Sequence, residues 1–547
     1  MKRFKPFLFA ACCAFLLSVF APYVAQAQVS KNEVPEYPVP EHQEILTEGA
    51  AEPKLSEVDR IRRKLLIQGD AAYEAGDMER ARSLYRQAKS DTWLLPQQLF
   101  SALPPAPFTD PAQLSPAGAV YWREAQAGLA ANRASQRRVA LDLLTTEHPA
   151  FMPAQVAYAN MLGEAEDFAA ANAVLEGALA IYPDQPDLLM AQVALQMAQE
   201  NWLEAAIVSR QFVALNEDHP AYGEQSALAS ENLARFQREM RADIRKGAIA
   251  NVFTGALGYA LTGSIFGPVT AASSAVTLLQ GENAIGNQYA NQIQSRLPMI
   301  ESPEALGYVR RIGNKLAATT GRRDLDYEFF VILDPTLNAF ALPGGKIFVN
   351  AGAILETDSE AELAGLLAHE LSHSVLSHGF QQVTRGNLSS SVAQYLPYGG
   401  LINNVFLSGY SRDMERQADI VGTQILDAGG YAADGLHNVM ITLNEQSAEG
   451  PRAPAWIASH PNPEDRVAYL QTLVERGGYD RYAYEGVLSH EEIQTIVARE
   501  LAAYEAMQQG EVEIENNIEL EPEPGEDETA EPEMAEPEMA EPEMAEP

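Results

Sequence analysis

Two stretches of this chain repeat at a fixed distance. EDFAAANAVLEGALAIYP (Glu166–Pro183) and ENWLEAAIVSRQFVALNE (Glu200–Glu217) align with Phe168 over Trp202, Ala171 over Ala205 and Ala178 over Phe212, each pair 34 residues apart. That period holds two helices and their turns, and the small residues let the helices approach closely. An earlier stretch, GDAAYEAGDMERARSLYRQA, puts Gly69, Ala81, Tyr85 and Ala88 at the spacing such units use. A single unit cannot bury its own apolar face, so residues 55–235 are expected to stack as helical hairpins. Their contacts are local, which predicts a fragment that folds separately. The Pro-rich piece Leu95–Pro116 interrupts the array.

The hairpin units resemble tetratricopeptide repeats, which implies a surface for protein partners. The full chain of 547 residues is too long for one core, so two or three domains are expected. Residues 236–300 read as a connecting helical segment. Within it, the uncharged run Gly247–Gln280 is long enough to span a bilayer but is diluted by Gly, Ser and Thr and broken at Gly267-Pro268. A buried or interfacial helical hairpin is expected there rather than a span. Residues 301–505 mix strand and helix signals: DYEFFVILD and GKIFVNAGA read as strands, and Ser359–His378 as a helix. The repeating Ala-Glu-Pro-Glu-Met tail, residues 506–547, cannot build a core and is expected to be disordered.

The net charge of -37 argues against binding nucleic acid or anionic lipid through a basic face. From Glu511 to the C-terminus there are sixteen acidic residues and no Lys or Arg, so much of that charge sits in the tail. At the other end, MKRFKPFLFAACCAFLLSVFAPYVAQAQ has a basic start, an apolar middle and small residues at Ala25 and Ala27. Residues 1–27 therefore read as a signal peptide, followed by a polar linker over 28–54. Both cysteines, Cys12 and Cys13, lie inside that leader. The exported chain would have neither disulfide nor thiolate, which suits a bacterial periplasm, peripheral to a membrane if 247–280 touches one.

The chemistry concentrates in GLLAHELSHSVLSHG, residues 365–379. On a helix, residues four apart share a face, so His369 and His373 can offer two imidazole nitrogens to one Zn²⁺. Glu370 then stands beside the ion, placed to take a proton from an attacking water and pass it to a leaving amine. This is the His-Glu-x-x-His arrangement of zinc peptidases. His378, five residues past His373, projects about 140° away around an ideal helix and reads as a polar helix-end residue. A catalytic zinc needs a third protein ligand. The downstream helix SGYSRDMERQADIVGTQIL places Glu415 and Asp419 four apart, where Glu415 can complete the ligand set and Asp419 can steady a ligand imidazole.

In this order, LNAFALPGGKIFVNAGAI, AHELSHSVLSHG, SRDMERQADIVG and SHPNPEDR resemble the gluzincin metallopeptidases that include HtpX and the CAAX prenyl proteases. The nearest likeness is to their soluble periplasmic branch, the BepA type, in which helical repeats follow the peptidase rather than precede it. The resemblance implies one zinc per chain on His369, His373 and Glu415, with Glu370 as general base. It implies that the strand Lys346, Ile347, Phe348, Val349 and Asn350 borders the cleft as an edge to which an extended peptide adds. It also maps His460 to a loop near the metal, either steadying an oxyanion or occupying the metal's open position, with Arg466 as its structural companion. The expected fold is α+β and mostly helical: a tetratricopeptide-like α-solenoid, then a zincin-type domain of helices and a small mixed sheet. The expected function is an exported zinc metalloendopeptidase acting on protein or peptide substrates in envelope quality control. The rival reading is a repeat-based chaperone or assembly factor with a latent zinc site.

Overall fold

A left-handed residue closes the first helix of each N-terminal hairpin. The pairs are α1 (Glu57–Glu74) with α2 (Met78–Ala88), α3 (Pro116–Ala130) with α4 (Ala134–Glu147), α5 (Met152–Glu164) with α6 (Phe168–Leu179), and α7 (Pro186–Ala198) with α8 (Trp202–Leu215). Between them Gly76, Asn132, Glu166 and Glu200 take φ of 76°, 51°, 60° and 59°. The next N–H then reaches back into the helix, Asp77 to Ala72, Arg133 to Gly128, Asp167 to Leu162 and Asn201 to Gln196. This closure satisfies a helix-end carbonyl and reverses the chain. The 34-residue step recurs in the helix starts, Met152 to Pro186 and Phe168 to Trp202, with Ala171 and Ala205 fully buried in the hairpins.

The computed structural model describes residues 56–90, 104–245, 281–385, 410–449, 456–457, 460 and 463–518. The leader, the linker, the uncharged run 247–280 and the tail beyond Ile518 lie outside the described residues. No helix among the described residues is long and apolar enough to cross a membrane.

Among the described residues, the hairpins over 56–215 pack in two groups. Helices α3–α8 share a core that includes Leu144, Phe151, Leu175, Leu188 and Phe212, and α9 (Tyr222–Arg245) packs on α8. The first hairpin instead packs Ala72, Ala81 and Tyr85 against Tyr482. Its buried Asp70 accepts from the Tyr85 hydroxyl at 2.7 Å and from the backbone N–H groups of Glu485 and Val487 at 3.0 Å each. Its buried Lys89 donates to Asp434 Oδ1 at 2.7 Å and pairs with Glu485. Buried polar groups need partners, and apart from Tyr85 those of this hairpin lie 345 to 417 residues downstream.

The second half opens with α10 (Glu282–Gln294) and α11 (Pro303–Ala317). Three strands follow, β1 (Glu328–Ile332), β2 (Ala339–Leu342) and β3 (Lys346–Asn350), in the order β1-β3-β2, with β1 parallel and β2 antiparallel to β3. Alternation divides their side chains between two layers. Phe330, Ile332, Phe340, Leu342 and Phe348 pack on Ala290 and Ile293 of α10. Phe329, Val331, Ala339, Ala341, Ile347 and Val349 join the large core on the other face. β3 is therefore the central strand, with both edges paired. The expectation that Lys346–Asn350 accepts a substrate strand is corrected: Lys346 itself is buried and donates to Glu328 Oε1 at 2.6 Å.

The large core is completed by α12 (Ala351–Leu355), α13 (Glu360–Val375), α15 (Arg412–Ala428), α16 (Gly435–Glu449), α17 (Pro463–Gly477) and α18 (Val487–Ile518), while the short α14 (His378–Arg385) follows α13. α18 continues past 505 to Ile518, because EAMQQGEVEIENNI is rich in helix formers and has no proline. The boundary expected at 505–506 is thus not a helix end. Every residue of α13 is buried, and the site is built on it.

Candidate metal centre

Helix α13 starts at Ser359, whose side chain accepts from Glu362 N, while Glu362 Oε2 accepts from Asp358 N at 2.8 Å. At its other end the unpaired carbonyls find distant donors. Arg322 Nη1 reaches Val375 O at 2.8 Å, and Leu376 O accepts from Gln211 at 2.7 Å and Gln381 at 2.9 Å. Between these ends His369 and His373 project together, with their Nε2 atoms 3.1 Å apart.

α15 crosses α13 where Gly422 meets His369; a Cβ at Gly422 would lie 3.2 Å from the His369 Cα. That approach brings Glu415 Oε2 to 3.6 Å from His369 Nε2 and Glu415 Oε1 to 3.6 Å from His373 Nε2. His460 Nε2 lies 3.9 Å from Glu415 Oε1. One donor atom from each of His369, His373, Glu415 and His460 falls within 4.8 Å of the other three, and all four residues are buried. Ligands 2.0–2.1 Å from a tetrahedral zinc stand about 3.4 Å apart, close to these spacings. Glu415 Oε1 and Glu370 Oε2 are buried without a hydrogen-bond partner, which a protein tolerates poorly unless a cation or solvent satisfies them. Three imidazoles and one carboxylate are the donors zinc prefers, so the residues present fit such an ion.

The electrostatics follow from burial. Burial and Arg466 oppose a charge on His369, but Asp419 and Glu415 outweigh them and push its pKa up to about 9. Burial and then the charge on His369 hold His373 and His460 well below the ordinary histidine range. Burial pushes the Glu370 carboxyl up to about 7, although the Trp456 indole donates to its Oε1 at 3.0 Å. Asp419 stays low despite burial because Arg466 holds it, through Nε at 2.9 Å and Nη2 at 2.5 Å. Asp419 Oδ1 also lies 3.2 Å from His369 Nδ1.

Two expectations change. Arg466 is the companion of Asp419 and Glu415, the latter through Nη1 at 3.0 Å, and its guanidinium lies 4.7 Å over the Trp456 ring that stacks on His460. His378 opens α14 but does not point away from His373. The helix stops at Val375 and Ser377 takes φ of 57°, so extrapolating an ideal helix to position 378 fails. His378 folds back, buried, with its Nδ1 3.0 Å from His373 Nδ1. Sequence reasoning also missed Trp456 and Tyr410. Trp456 stacks on His460 at 4.3 Å and 8°, and Tyr410 on His373 at 3.8 Å and 22°. The four-residue step from Trp456 to His460, with an N–H to carbonyl bond of 2.9 Å, was the one signal for the first; Tyr410 left none.

A model of peptidase family M48 matches residues 303–474. Those residues form an M48 metallopeptidase domain. Among curated relatives, the beta-barrel assembly-enhancing protease of Yersinia pestis is 25% identical over 225 residues, 37% of this chain and 46% of that protein. The putative beta-barrel assembly-enhancing protease of Vibrio cholerae is 28% identical over 219 residues, 36% of this chain and 45% of that protein. The mitochondrial metalloendopeptidase OMA1 of Schizosaccharomyces pombe is 31% identical over 173 residues, 30% of this chain and 51% of that protein. The chain thus spans about half the length of the curated relatives it matches. All the donors described above lie inside the M48 domain.

Proposed function

We propose that this protein is an exported zinc metalloendopeptidase that cleaves protein or peptide substrates, with His369, His373 and Glu415 as ligands and Glu370 as general base. The observation that carries the reading is the convergence of four buried donor atoms within 4.8 Å beside a carboxylate that is not one of them. Zinc held there supplies Lewis acidity that polarises a substrate carbonyl. The indole of Trp456 fixes Glu370 Oε1, which leaves Oε2 to take the proton of an attacking water and return it to the leaving amine.

His460 serves as a fourth donor that closes the site. Its Nδ1 lies 3.2 Å from Trp456 O, and a carbonyl accepts, so the proton sits on Nδ1 and Nε2 keeps a lone pair toward the cluster. A neutral ring so arranged offers no proton to an oxyanion. For an extended substrate, the strand that fits is β2. β3 is paired on both sides, and the outer edge of β1 is bonded to 298–300 through Ile300 N and Leu333 N.

The hairpins α3–α8 have the turn chemistry and period of tetratricopeptide repeats, which supports a role in binding partners or substrates. The relatives named for beta-barrel assembly support envelope protein quality control in a bacterial periplasm. A repeat-based assembly factor with a latent site draws support from the burial of every donor. Elemental analysis and casein cleavage by the full chain and its Glu370→Gln variant separate the two. The variant is expected to keep one zinc and lose cleavage; cleavage at the unsubstituted rate would sink the mechanism.

A further inference from the structure

The turn after α13 carries a histidine that the proposed reaction does not use. His378 Nδ1 is 3.0 Å from His373 Nδ1, His378 Nε2 is 3.0 Å from Gln417 Oε1 on α15, and Gln417 Nε2 donates to Leu179 O at 3.2 Å. Leu179 ends α6, so its carbonyl has no intrahelical donor. We infer that His378 is a positioning residue for His373 and that the helical hairpins hold the far end of its support. This rests on the reading of His373 as a ligand.

The protons decide the direction of the chain. A neutral imidazole that presents Nε2 to a metal carries its proton on Nδ1. His373 Nδ1–H then donates to His378 Nδ1, which leaves the His378 proton on Nε2, facing the acceptor oxygen of Gln417. The amide of Gln417 is oriented with its nitrogen toward a backbone carbonyl, an acceptor only. All three bonds therefore run one way, from the ligand ring to the hairpins. Reversing any of them sets donor against donor or acceptor against acceptor. α8 grips the same turn a second time, through Gln211 on Leu376 O. Between the two grips, Ser377 and Arg322 bond to the buried Glu282, Ser377 at 2.9 Å. The orientation of one zinc ligand is thus set across the contact between the hairpins and the M48 domain, and loosening that contact lowers the affinity for the metal.

The test is zinc affinity of the full chain, measured with zinc alone in competition with a chromophoric chelator. His378→Leu is expected to weaken binding by about 10–100-fold, as loss of a ligand-orienting partner does. His378→Asn, whose Oδ1 stands where Nδ1 stood, is expected to recover most of that loss, which a filler of space would not do. Gln417→Leu is expected to weaken binding by about tenfold. Gln424→Leu removes a bond of 3.2 Å to Asp184 from the same helix and the same contact and is expected to leave affinity unchanged. Circular dichroism of each metal-free variant verifies folding. Unchanged affinity in His378→Leu, or equal losses in Gln417→Leu and Gln424→Leu, overturns the inference while zinc binding by the unsubstituted chain stands. An unsubstituted chain that takes up no zinc overturns the metal centre itself, and this inference with it.

Discussion

His369 and His373 leave α13 one turn apart and face each other at 3.1 Å, yet what stands behind them differs. His369 is backed by charge: Asp419 at 3.2 Å, itself clamped by Arg466, all inside the M48 domain. His373 is backed by a neutral chain through His378 and Gln417 that leaves the domain and ends on a hairpin carbonyl. The first support is assembled by two helix faces and one arginine, so it exists wherever the domain folds. The second has its last bond on the hairpins, so it is complete only while they are docked. Two residues that the spacing makes equivalent are thus answerable to different parts of the molecule.

The largest effects should ignore that difference. His369→Ala and His373→Ala are each expected to lose stoichiometric zinc and all proteolysis, because each removes a proposed ligand. Elemental analysis of both proteins breaks the comparison if either retains the metal. The third ring tests what closes the site. His460→Ala is expected to raise basal casein cleavage by freeing a donor position; an oxyanion donor would instead lower it by about 10²–10³-fold. A fall of that size in a cleavage assay would reverse the role given to His460.

Next comes the contrast between charged and neutral support. Asp419→Ala is expected to weaken zinc binding by about 10–100-fold. It should also cost about 3–5 kcal/mol of stability in the metal-free chain, since Arg466 is left buried without its main partner. His378→Leu should lose zinc comparably but only about 1–3 kcal/mol of stability, the cost of a buried neutral group left unsatisfied. Urea unfolding of the two metal-free proteins sharpens the comparison, and equal losses would mean that charge is not what distinguishes the supports. The smallest effect is expected for Gln211→Ala, about 1 kcal/mol. Leu376 O keeps its bond from Gln381, so zinc affinity should barely move; a large fall would shift the hairpins' influence from Leu179 to α8.

Local periodicity explains what could be read in advance. The pairing of His369 with His373 and of Glu415 with Asp419 depends on residues four apart on one helix, and the place of Glu370 on its being next to His369, where backbone geometry leaves no choice. The hairpins of 152–215 were legible for the same reason, since a period of 34 residues repeats one local unit. The errors arose where a local rule was carried beyond its element. His378 was placed by an ideal helix that had already ended at Val375. The edge role of β3 came instead from the family resemblance, and nothing in the residues announced β2, only four residues long, as its second partner. The first hairpin has the same turn as the others, so its sequence gave no sign that its polar groups would pair with 430–491.

The sequence by itself determined the hairpins and the helical pairs His369 with His373 and Glu415 with Asp419, because each is specified within a few turns of one helix. The tertiary structure alone decided which sheet edges remain open, that Arg466 serves Asp419 and Glu415, and that Trp456 and His460 lie against Glu370. It also decided that the chain of bonds behind His373 ends on a hairpin carbonyl, Leu179 O, nearly two hundred residues upstream. Those choices are made by packing and by the need of every buried polar group to find a partner, and that partner can lie at any distance along the chain.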